Sequence, residues 1–443
     1  MRELRELPHF RDRLALNARR ARSRREDTDW DMQQLLEHLE HPREVRFGPA
    51  LLQLGGLAAL NWLLLALWLA GLAAPWVILS FVTYLLLYNF HSGKVRGLFE
   101  ESYQMEKLLS RFHAILGYLE SFRYREGSEL KRFCAPFCSG EQRPSRYLRG
   151  IVRLAAAGAL QKSQLGWVVV NAMVPWDLWF TRKLERYKED LRPRLESWMD
   201  RFYSLEALCS LANLAWLNPD YTFALPRDLE EKDSKPPFRA EGIGHPLIPA
   251  GQRVTNDVEI GSLGDLLLIT GSNMSGKSTF LRTLGINLAL CFAGGPVNAR
   301  SLETVPFRIF SSINVTDSLD QGLSHFYAEV KRLRRLLEEL ERPGEPPLFF
   351  MVDEIYKGTN NRERMQGSTA FLKTVAGRHA IGLVSTHDLE LAALEEEIPS
   401  LTNWHFEETI RDGRMSFEYK LKPGPCPTTN ALTIMEMEGL PTE

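Results

Sequence analysis

The feature that most limits how this chain can fold is a long uncharged run near its N-terminus. The 44 residues from Phe47 to Phe90 include no Asp, Glu, Lys or Arg. A membrane-spanning helix needs about 20 consecutive apolar residues, so the run is long enough for two. The segment from Gly71 to Pro75 supplies a break between them. We therefore predict a transmembrane helical hairpin over residues 47–91, with helices at about 50–70 and 76–90.

Basic residues on both sides of this run predict its orientation. Arg43 and Arg46 precede the run, and Lys94 and Arg96 follow it. Because Lys and Arg collect in cytoplasmic segments, we expect both ends in the cytoplasm, which predicts localisation at the cytoplasmic (inner) membrane. Five scattered cysteines, an odd number, fit a reducing compartment. The alternatives are a buried hairpin in a soluble protein and a secretory signal, and the short second span also allows a re-entrant or tilted geometry.

Residues 1–46 form a basic N-terminal segment that we expect on the cytoplasmic side. The whole chain has a formal charge of -2, so any contact with a polyanion must be local. A cluster of arginines beside a membrane favours anionic lipid headgroups as the partner, with DNA phosphate as the alternative. The cluster consists of Arg11, Arg13, Arg19, Arg20, Arg22, Arg24 and Arg25.

Residues 92–232 are predicted to form an all-α domain. Leu, Ala and charged residues recur there at helical spacing, and such a pattern is typical of core packing between helices. One apolar stripe consists of Leu195, Trp198, Met199, Phe202, Leu205, Leu208 and Leu211. Prolines and glycines become frequent from Pro226 to Gly251, which places a domain boundary near Asp233 and a second soluble domain over residues 233–443.

A glycine-rich loop between a predicted strand and a predicted helix marks the second soluble domain as a nucleotide-binding α/β domain. Leu266–Thr270 has the composition of a buried strand, and a P-loop follows it: Gly271, Ser272, Asn273, Met274, Ser275, Gly276, Lys277, Ser278 and Thr279. The glycines allow backbone N–H groups to converge on phosphate oxygens at a helix N-terminus. Lys277 should reach the terminal phosphates of ATP, and Ser278 should ligate Mg²⁺.

Two further predicted strands end in polar side chains. Leu348–Val352 is followed by Asp353 and Glu354, and Ala380–Val384 is followed shortly by His387. Because α/β folds bind ligands at the carboxyl ends of their strands, we expect these side chains to meet the P-loop. Asp353 is predicted to hold Mg²⁺ with the P-loop serine, and Glu354 to orient or activate the attacking water. His387 is then a candidate catalytic residue that senses the terminal phosphate.

The P-loop resembles that of the MutS family of DNA mismatch-repair ATPases, because it contains Asn273 and Met274. Further segments resemble motifs of that family's ATPase domain in the same order: Gly244-His245-Pro246, the signature segment Asp317 to Phe326, Asp353-Glu354, Gly358-Thr359-Asn360 and Thr386-His387. The resemblance covers about Arg239 to Pro441. It implies ATP and Mg²⁺ as cofactors and a homodimer with composite ATP sites, in which Ser324 contacts the nucleotide held by the partner subunit.

The expected fold is an α/β P-loop NTPase domain of the ABC type, preceded by an all-α domain and a transmembrane hairpin. The resemblance implies an ATPase that converts ATP and water to ADP and phosphate, switches a dimer, and binds DNA in a role related to mismatch repair. The predicted hairpin adds that this ATPase is tethered to the membrane. The alternative is a membrane-bound ABC-type ATPase switch that does not act on DNA. A transporter is a third class, but an export pathway needs many spans.

Overall fold

A computed structural model gives the fold of the predicted hairpin, of the predicted all-α domain and of the predicted α/β domain. It describes residues 1–22, 47–92, 112–138, 140, 143–158, 164–228, 235–272, 274–313, 325–342, 345–356, 359–411 and 414–427. The chain divides into two compact units, one of Arg2–Ser210 and one of Leu211–Glu443 together with Met1.

Among its described residues the first unit consists of helices joined by turns and short loops. Its helices are α1 (Arg2–Arg5), α2 (Pro8–Arg22), α3 (Phe47–Leu69), α4 (Trp76–Ser92), α5 (Glu129–Phe133), α6 (Ala135–Cys138), α7 (Pro144–Gly158), α8 (Gln164–Met173) and the greater part of α9 (Trp176–Leu217), and residues 112–121 are helical as well. The predicted stripe of α9 is its core face, where Leu195, Trp198, Met199 and Phe202 are buried. The helical composition predicted for this region therefore matches what the described residues adopt.

Helices α3 and α4 occupy the uncharged run and lie against each other. Their bounds differ from the predicted ones by up to three residues, and the turn falls at the predicted Gly71 to Pro75 segment. Within the described part of the chain, Gly48–Leu69 is the one helix long and apolar enough to cross a membrane, and Trp76–His91 is a shorter apolar helix. Insertion of this pair into a bilayer stays a prediction.

One member of the predicted arginine cluster has a structural role. Arg11 is buried, and its Nη1 donates to the carbonyl oxygens of Leu4 and Arg5, the latter at 2.7 Å. These carbonyls belong to the last turn of α1, which has no intrahelical donors for them. The expectation that Arg11 belongs to an exposed basic surface is therefore wrong, whereas Arg13 and other members are exposed. Arg24 and Arg25 lie outside the described residues.

The second unit is built on a six-stranded mixed sheet. Its strand order is β11-β8-β3-β7-β6-β5, with β11 antiparallel to β8 and the other neighbours parallel. A three-stranded antiparallel sheet of order β2-β1-β4 and a β9–β10 hairpin complete it. The strands are β1 (Phe238–Ile243), β2 (Asn256–Ile260), β3 (Leu266–Thr270), β4 (Ser301–Thr304), β5 (Arg308–Ser312), β6 (Leu348–Asp353), β7 (Ala380–Ser385), β8 (Leu401–His405), β9 (Glu408–Arg411), β10 (Arg414–Phe417) and β11 (Lys422–Pro423).

Helices cover both faces of the six-stranded sheet. Helix α10 (Lys277–Phe292) packs on one face, and helices α11 (His325–Leu340) and α12 (Asn361–Val375) pack on the other. Parallel strands buried on two faces are expected to be apolar at nearly every position, and β3 is buried along its whole length. The predicted strand Leu266–Thr270 is present with those bounds, and β6 and β7 each run one residue beyond prediction.

The residues just before the predicted domain boundary belong to this second unit. Thr222 and Val297 exchange backbone hydrogen bonds of 3.0 and 2.8 Å, and the Arg227 N–H donates to the Thr304 carbonyl at 2.9 Å. Ala224 is part of the hydrophobic core under α10. The division between units at Ser210 and Leu211 thus precedes the predicted boundary near Asp233, which itself lies outside the described residues.

Candidate nucleotide site

The P-loop connects β3 to α10 through backbone conformations that favour glycine. Gly271 has a φ of 142°, and Gly276, the N-cap of α10, has a φ of 109°. A Cβ on Gly271 would lie 2.4 Å from the Phe406 carbonyl oxygen, so that position admits no side chain without movement of the backbone. The loop therefore brings the chain round tightly onto the N-terminus of a 16-residue helix, where free N–H groups favour an anion.

Lys277 lies inside the P-loop. Its Nζ donates to the carbonyl oxygens of Gly271 and Ser272, both at 2.7 Å, and its side chain is buried. Burial lowers the pKa of Lys277, and the carboxylates of Glu354 and Asp353 oppose that shift. Ser275 Oγ is buried in the same loop and has no hydrogen-bond partner among the residues that the structure describes. A cation and an unsatisfied hydroxyl group in one glycine-rich loop fit a phosphate group.

Two hydroxyl groups converge on Asp353 at the end of β6. Ser278 Oγ donates to Asp353 Oδ1 at 2.9 Å, and Ser385 Oγ donates to the same oxygen. Mg²⁺ is commonly held by one or two protein oxygens together with substrate phosphates, so this pair fits the ion without further acidic ligands. No group of three or more His, Cys, Asp or Glu side chains arranged for a metal occurs among the residues that the structure describes.

Glu354 follows Asp353 in a strained backbone conformation. Its φ is 57°, and its N–H donates to the Ser385 carbonyl oxygen at 3.0 Å, which holds the loop against β7. A left-handed backbone conformation costs free energy at a residue other than glycine, and such residues are found frequently at functional sites. His387 Nδ1 lies 3.7 Å from Glu354 Oε1. The structure thus brings together the acid and the histidine that the sequence placed on separate strands.

An ion pair between Arg364 and Asp388, which the sequence did not predict, lies next to His387. Arg364 on α12 donates to both carboxylate oxygens of Asp388, at 2.8 and 2.7 Å. His387 Nε2 lies 3.7 Å from Asp388 Oδ1, so the imidazole sits between two carboxylates. The signal available in the sequence was Asp388 directly after the histidine, but nothing in the spacing pointed to Arg364.

A cavity of about 520 Å³ adjoins the P-loop and the start of α10. Its polar wall contains Lys277, Ser278 and Glu354, and its other walls are largely apolar and aromatic, which is typical of a site for an organic ligand. His245 of the predicted motif Gly244-His245-Pro246 belongs to these other walls. Residues of these walls include Ile243, His245, Leu247, Ile248, Pro249, Phe406 and Tyr419. Tyr419 packs over Gly276, where an added Cβ would meet its ring at 3.1 Å.

The remaining predicted residues have different outcomes. Ser272 Oγ donates to Glu408 Oε2 at 2.6 Å, a buried carboxylate that sequence reasoning did not single out. Met274 is exposed with a φ of 69°, and Thr279 lines the cavity from the first turn of α10. Asn273 and Ser324 lie outside the described residues, as does Gly358.

Comparisons with known proteins identify a family that the part of the chain carrying these motifs matches. The family model for MutS domain V matches residues 267–443, which include the P-loop, Asp353, Glu354 and His387. Over these residues the chain matches a domain of the MutS family. It is 36% identical over 205 residues to the DNA mismatch repair protein MutS of Exiguobacterium sp., covering 44% of this chain and 24% of that protein.

A second relative gives the same result over a longer stretch. The DNA mismatch repair protein MutS of Chloroflexus aurantiacus is 30% identical over 271 residues, covering 58% of this chain and 27% of that protein. The chain thus spans about a quarter of the length of the curated relatives it matches. This partial coverage fits a divergent member of the MutS family, whose C-terminal domain V is an α/β domain of the P-loop ATPase type.

Proposed function

We propose that this MutS family member binds ATP with Mg²⁺ and hydrolyses it to ADP and phosphate. The observation that carries the proposal is the convergence of Lys277, the Ser278–Asp353 pair and Glu354 on one cavity. These groups come from the ends of two strands of one sheet, β3 and β6, and have separate chemical tasks. Family membership adds support, because the relatives share this domain.

Each side chain has a role that follows from its chemistry. Lys277 and the backbone N–H groups at the start of α10 bind the phosphates, and Ser278 with Asp353 would hold Mg²⁺. The bound ion would neutralise charge on the phosphate oxygens. Glu354 accepts the proton of the attacking water, while His387 beside it positions the carboxylate and the terminal phosphate. The aromatic and apolar walls of the cavity accept the base.

The test is to compare Glu354→Gln with Lys277→Ala in the full-length chain. The glutamine keeps the shape of the side chain but cannot accept a proton, so ATP should bind while turnover falls by about two orders of magnitude or more. Lys277→Ala should weaken ATP binding itself. Glu303→Gln, at an exposed position on β4, is the matched control and should behave as wild type. Near-normal turnover in Glu354→Gln would remove that residue from the mechanism.

The proposed role of the ATPase is to switch a DNA-binding dimer in a process related to mismatch repair. The support is that both relatives are named DNA mismatch repair proteins, with ATPase domains similar to this one. Contacts with DNA phosphate make affinity fall steeply with salt. Purified protein should therefore show ATPase activity that duplex DNA stimulates at low salt, and stimulation should disappear as salt rises. ATPase activity that ignores DNA at every salt concentration would favour the ABC-type switch that does not act on DNA.

A membrane tether is the second part of the proposal, and the surface of the α3–α4 pair supports it. Large apolar side chains there are exposed in the part of the chain that the structure describes, and a soluble surface rarely carries so continuous an apolar area. Those exposed by 62% or more are Leu52, Leu69, Leu72, Trp76, Ile78, Leu79, Leu86 and Phe90. Cell fractionation without detergent tests the tether, and recovery of the chain in the soluble fraction would contradict it.

The proposed dimer has composite sites, with Ser324 of each subunit contacting the nucleotide of the other. Support comes from the signature resemblance alone, since Ser324 lies outside the described residues. A two-fold axis would place each subunit's serine in its partner's site. This makes the arrangement testable by mixing subunits that carry different lesions.

A further inference from the structure

A second apolar surface lies on the helical unit, outside the uncharged run. Helix α8 and the start of α9 expose Val168, Val169, Met173, Val174 and Trp179 by 40% to 54% each. We call this set the α8 patch. Single exposed apolar residues are ordinary, but five within twelve positions mark a contact surface. Helix α8 has 10 residues, about 15 Å, which is too short to cross a membrane.

Polar side chains fasten the α8 patch to helix α4. The Tyr84 hydroxyl group donates to the Asn171 carbonyl oxygen at 2.6 Å, and the Tyr88 hydroxyl group donates to Asp177 Oδ2 at 3.0 Å. Asn171 Nδ2 donates to Asp177 Oδ1 at 3.2 Å, and the Asp177 N–H donates back to Asn171 Oδ1 at 3.0 Å. The first turn of α9 is therefore locked to the shorter helix of the apolar pair.

These contacts fix where the patch lies along α4. Tyr84 precedes the last residue of α4, Ser92, by eight positions, which is about 12 Å at the helical rise of 1.5 Å per residue. Tyr84, which contacts the end of α8, is thus the midpoint of the 17-residue helix, whereas Tyr88, which contacts Asp177, lies about 6 Å from its end. If α4 is in the bilayer, the end of α8 lies beside the acyl chains and the first turn of α9 lies close to the lipid interface.

The side chains that follow the patch change in the order expected across an interface. The rings of Trp176 and Trp179 are 5.1 Å apart, and Lys183 Nζ lies 4.7 Å from the Trp179 ring. Arg186, three residues further on, is exposed. Along α9 the exposed surface thus passes from apolar to aromatic to basic. Trp prefers the headgroup level, and Lys and Arg extend their charges towards lipid phosphates.

The charge around the patch favours an anionic surface. No Asp or Glu occurs from position 142 to position 176, where the basic residues are Arg143, Arg146, Arg149, Arg153 and Lys162. Helix α7, which carries four of the five on or next to it, packs on α9, since the Tyr187 hydroxyl group donates to the Tyr147 carbonyl oxygen. DNA would match the charge but leave the apolar residues uncovered. A second copy would cover them but would oppose two basic surfaces.

We propose that helix α8 and the first turns of α9 form a further lipid-contacting element, with α8 beside the acyl chains and the first turns of α9 in the headgroup region of an anionic membrane. The proposal rests on the membrane tether proposed above. It assigns the helical unit a lipid contact of its own, separate from the α3–α4 pair and independent of the N-terminal arginines. The element orients the unit on the bilayer because it is locked to α4 through Tyr84 and Tyr88.

Spin labels on full-length protein in phosphatidylcholine vesicles containing phosphatidylglycerol test the proposal. Single cysteines replace Val169 in the patch, Leu86 on α4 and Leu225 in the second unit, which are 51%, 68% and 78% exposed. Collisions with oxygen report lipid, and collisions with a soluble nickel chelate report water. The chain without an added cysteine gives the background, since four of its five cysteines are buried.

The expected result is preferential oxygen access at Leu86→Cys and Val169→Cys, with nickel access at Leu225→Cys. Lipid access at position 86 with water access at 169 would overturn the α8 element and leave the tether intact. Water access at both would overturn the tether, and this element with it. If neither reagent reached the label at position 169, and the label of a second copy of the chain lay close to it, the patch would be an interface between copies. Protection at 169 only when duplex DNA is added would assign it to DNA.

Charge reversal tests the choice of an anionic membrane. In Lys183→Glu/Arg186→Glu the oxygen preference at position 169 should fall, and its increase with added phosphatidylglycerol should be lost. The control reverses Arg334 and Arg335, an adjacent exposed pair on α11, and should change neither quantity. An oxygen preference that is the same with and without phosphatidylglycerol, in wild type and in the double variant, would contradict the anionic headgroup contact.

Discussion

Gly271→Ala tests whether the P-loop must keep its tight backbone to bind ATP. The added Cβ would lie 2.4 Å from the Phe406 carbonyl oxygen and 3.0 Å from Ser275 Oγ. The Phe406 backbone cannot easily yield, because its N–H donates to the Thr270 carbonyl oxygen at 3.0 Å. Gly377→Ala is a matched control, since Gly377 also has a positive φ, 72°, but has no atom within 4 Å of the added carbon.

The two substitutions differ in expected free energy. Gly377→Ala should cost the left-handed penalty alone, about 1–2 kcal/mol. Gly271→Ala adds a steric overlap of about 1–3 kcal/mol to a backbone strain of about 1–3 kcal/mol, together about 2–6 kcal/mol. A domain of this size loses about 2–4 °C in Tm for each kcal/mol. Part of the strain at Gly271 can be relieved if the loop moves, and the phosphate-binding geometry is then lost.

Thermal unfolding of the detergent-solubilised chain, with and without ATP and Mg²⁺, measures both effects. ATP at about 100 times its Kd stabilises the folded chain by about 2.7 kcal/mol, equivalent to about 5–11 °C. Wild type and Gly377→Ala should show this shift, and Gly271→Ala should lose most of it. If Gly271→Ala equals Gly377→Ala both in Tm without ATP and in the shift on adding ATP, the steric argument is refuted.

Three further outcomes are expected. Co-expressed Lys277→Ala and Ser324→Arg chains should regain about a quarter of wild-type ATPase sites, whereas neither chain alone should have an active site. The composite site would be rejected if confirmed heterodimers of these two chains were inactive while a heterodimer of wild type and the double mutant was active. Leu65→Arg should cost about 2.5–3.5 kcal/mol of insertion and raise the soluble fraction, and an unchanged distribution would argue against a span there. Arg364→Ala should free Asp388 beside His387, the proposed catalytic histidine, and lower kcat by up to about a hundredfold, with ATP binding kept. Unchanged kcat would show that the pair has no part in turnover.

The parts of the site that local sequence determines were predictable. Leu266–Thr270 is buried throughout, so its apolar composition predicted a central strand, and the P-loop residues that follow could be numbered in advance. The position of Asp353 beside Ser278 followed from the rule that parallel strands present their carboxyl ends at one edge. These inferences needed only neighbours in sequence and the general geometry of a parallel sheet.

The parts that depend on distant contacts were not predictable. Tyr419 reaches the P-loop from a segment about 140 residues away in sequence, and Arg364 meets Asp388 across the space between a helix and a strand end. Periodicity carries no information on such pairs. Arg11 shows the opposite failure, because its charge suggested a surface role while the end of α1 required a donor.

Glu329 links helix α11 to the loop that carries Glu354. Its buried carboxylate accepts the N–H of Tyr356, whose φ is 55°, two residues after Glu354 with a φ of 57°. Helix α11 begins at His325, directly after Ser324, so a partner that engages that segment acts on an element bonded to the catalytic loop. Coupling between two binding sites is reciprocal. In the proposed composite dimer, the factor by which a partner subunit tightens ATP binding must equal the factor by which ATP tightens the dimer.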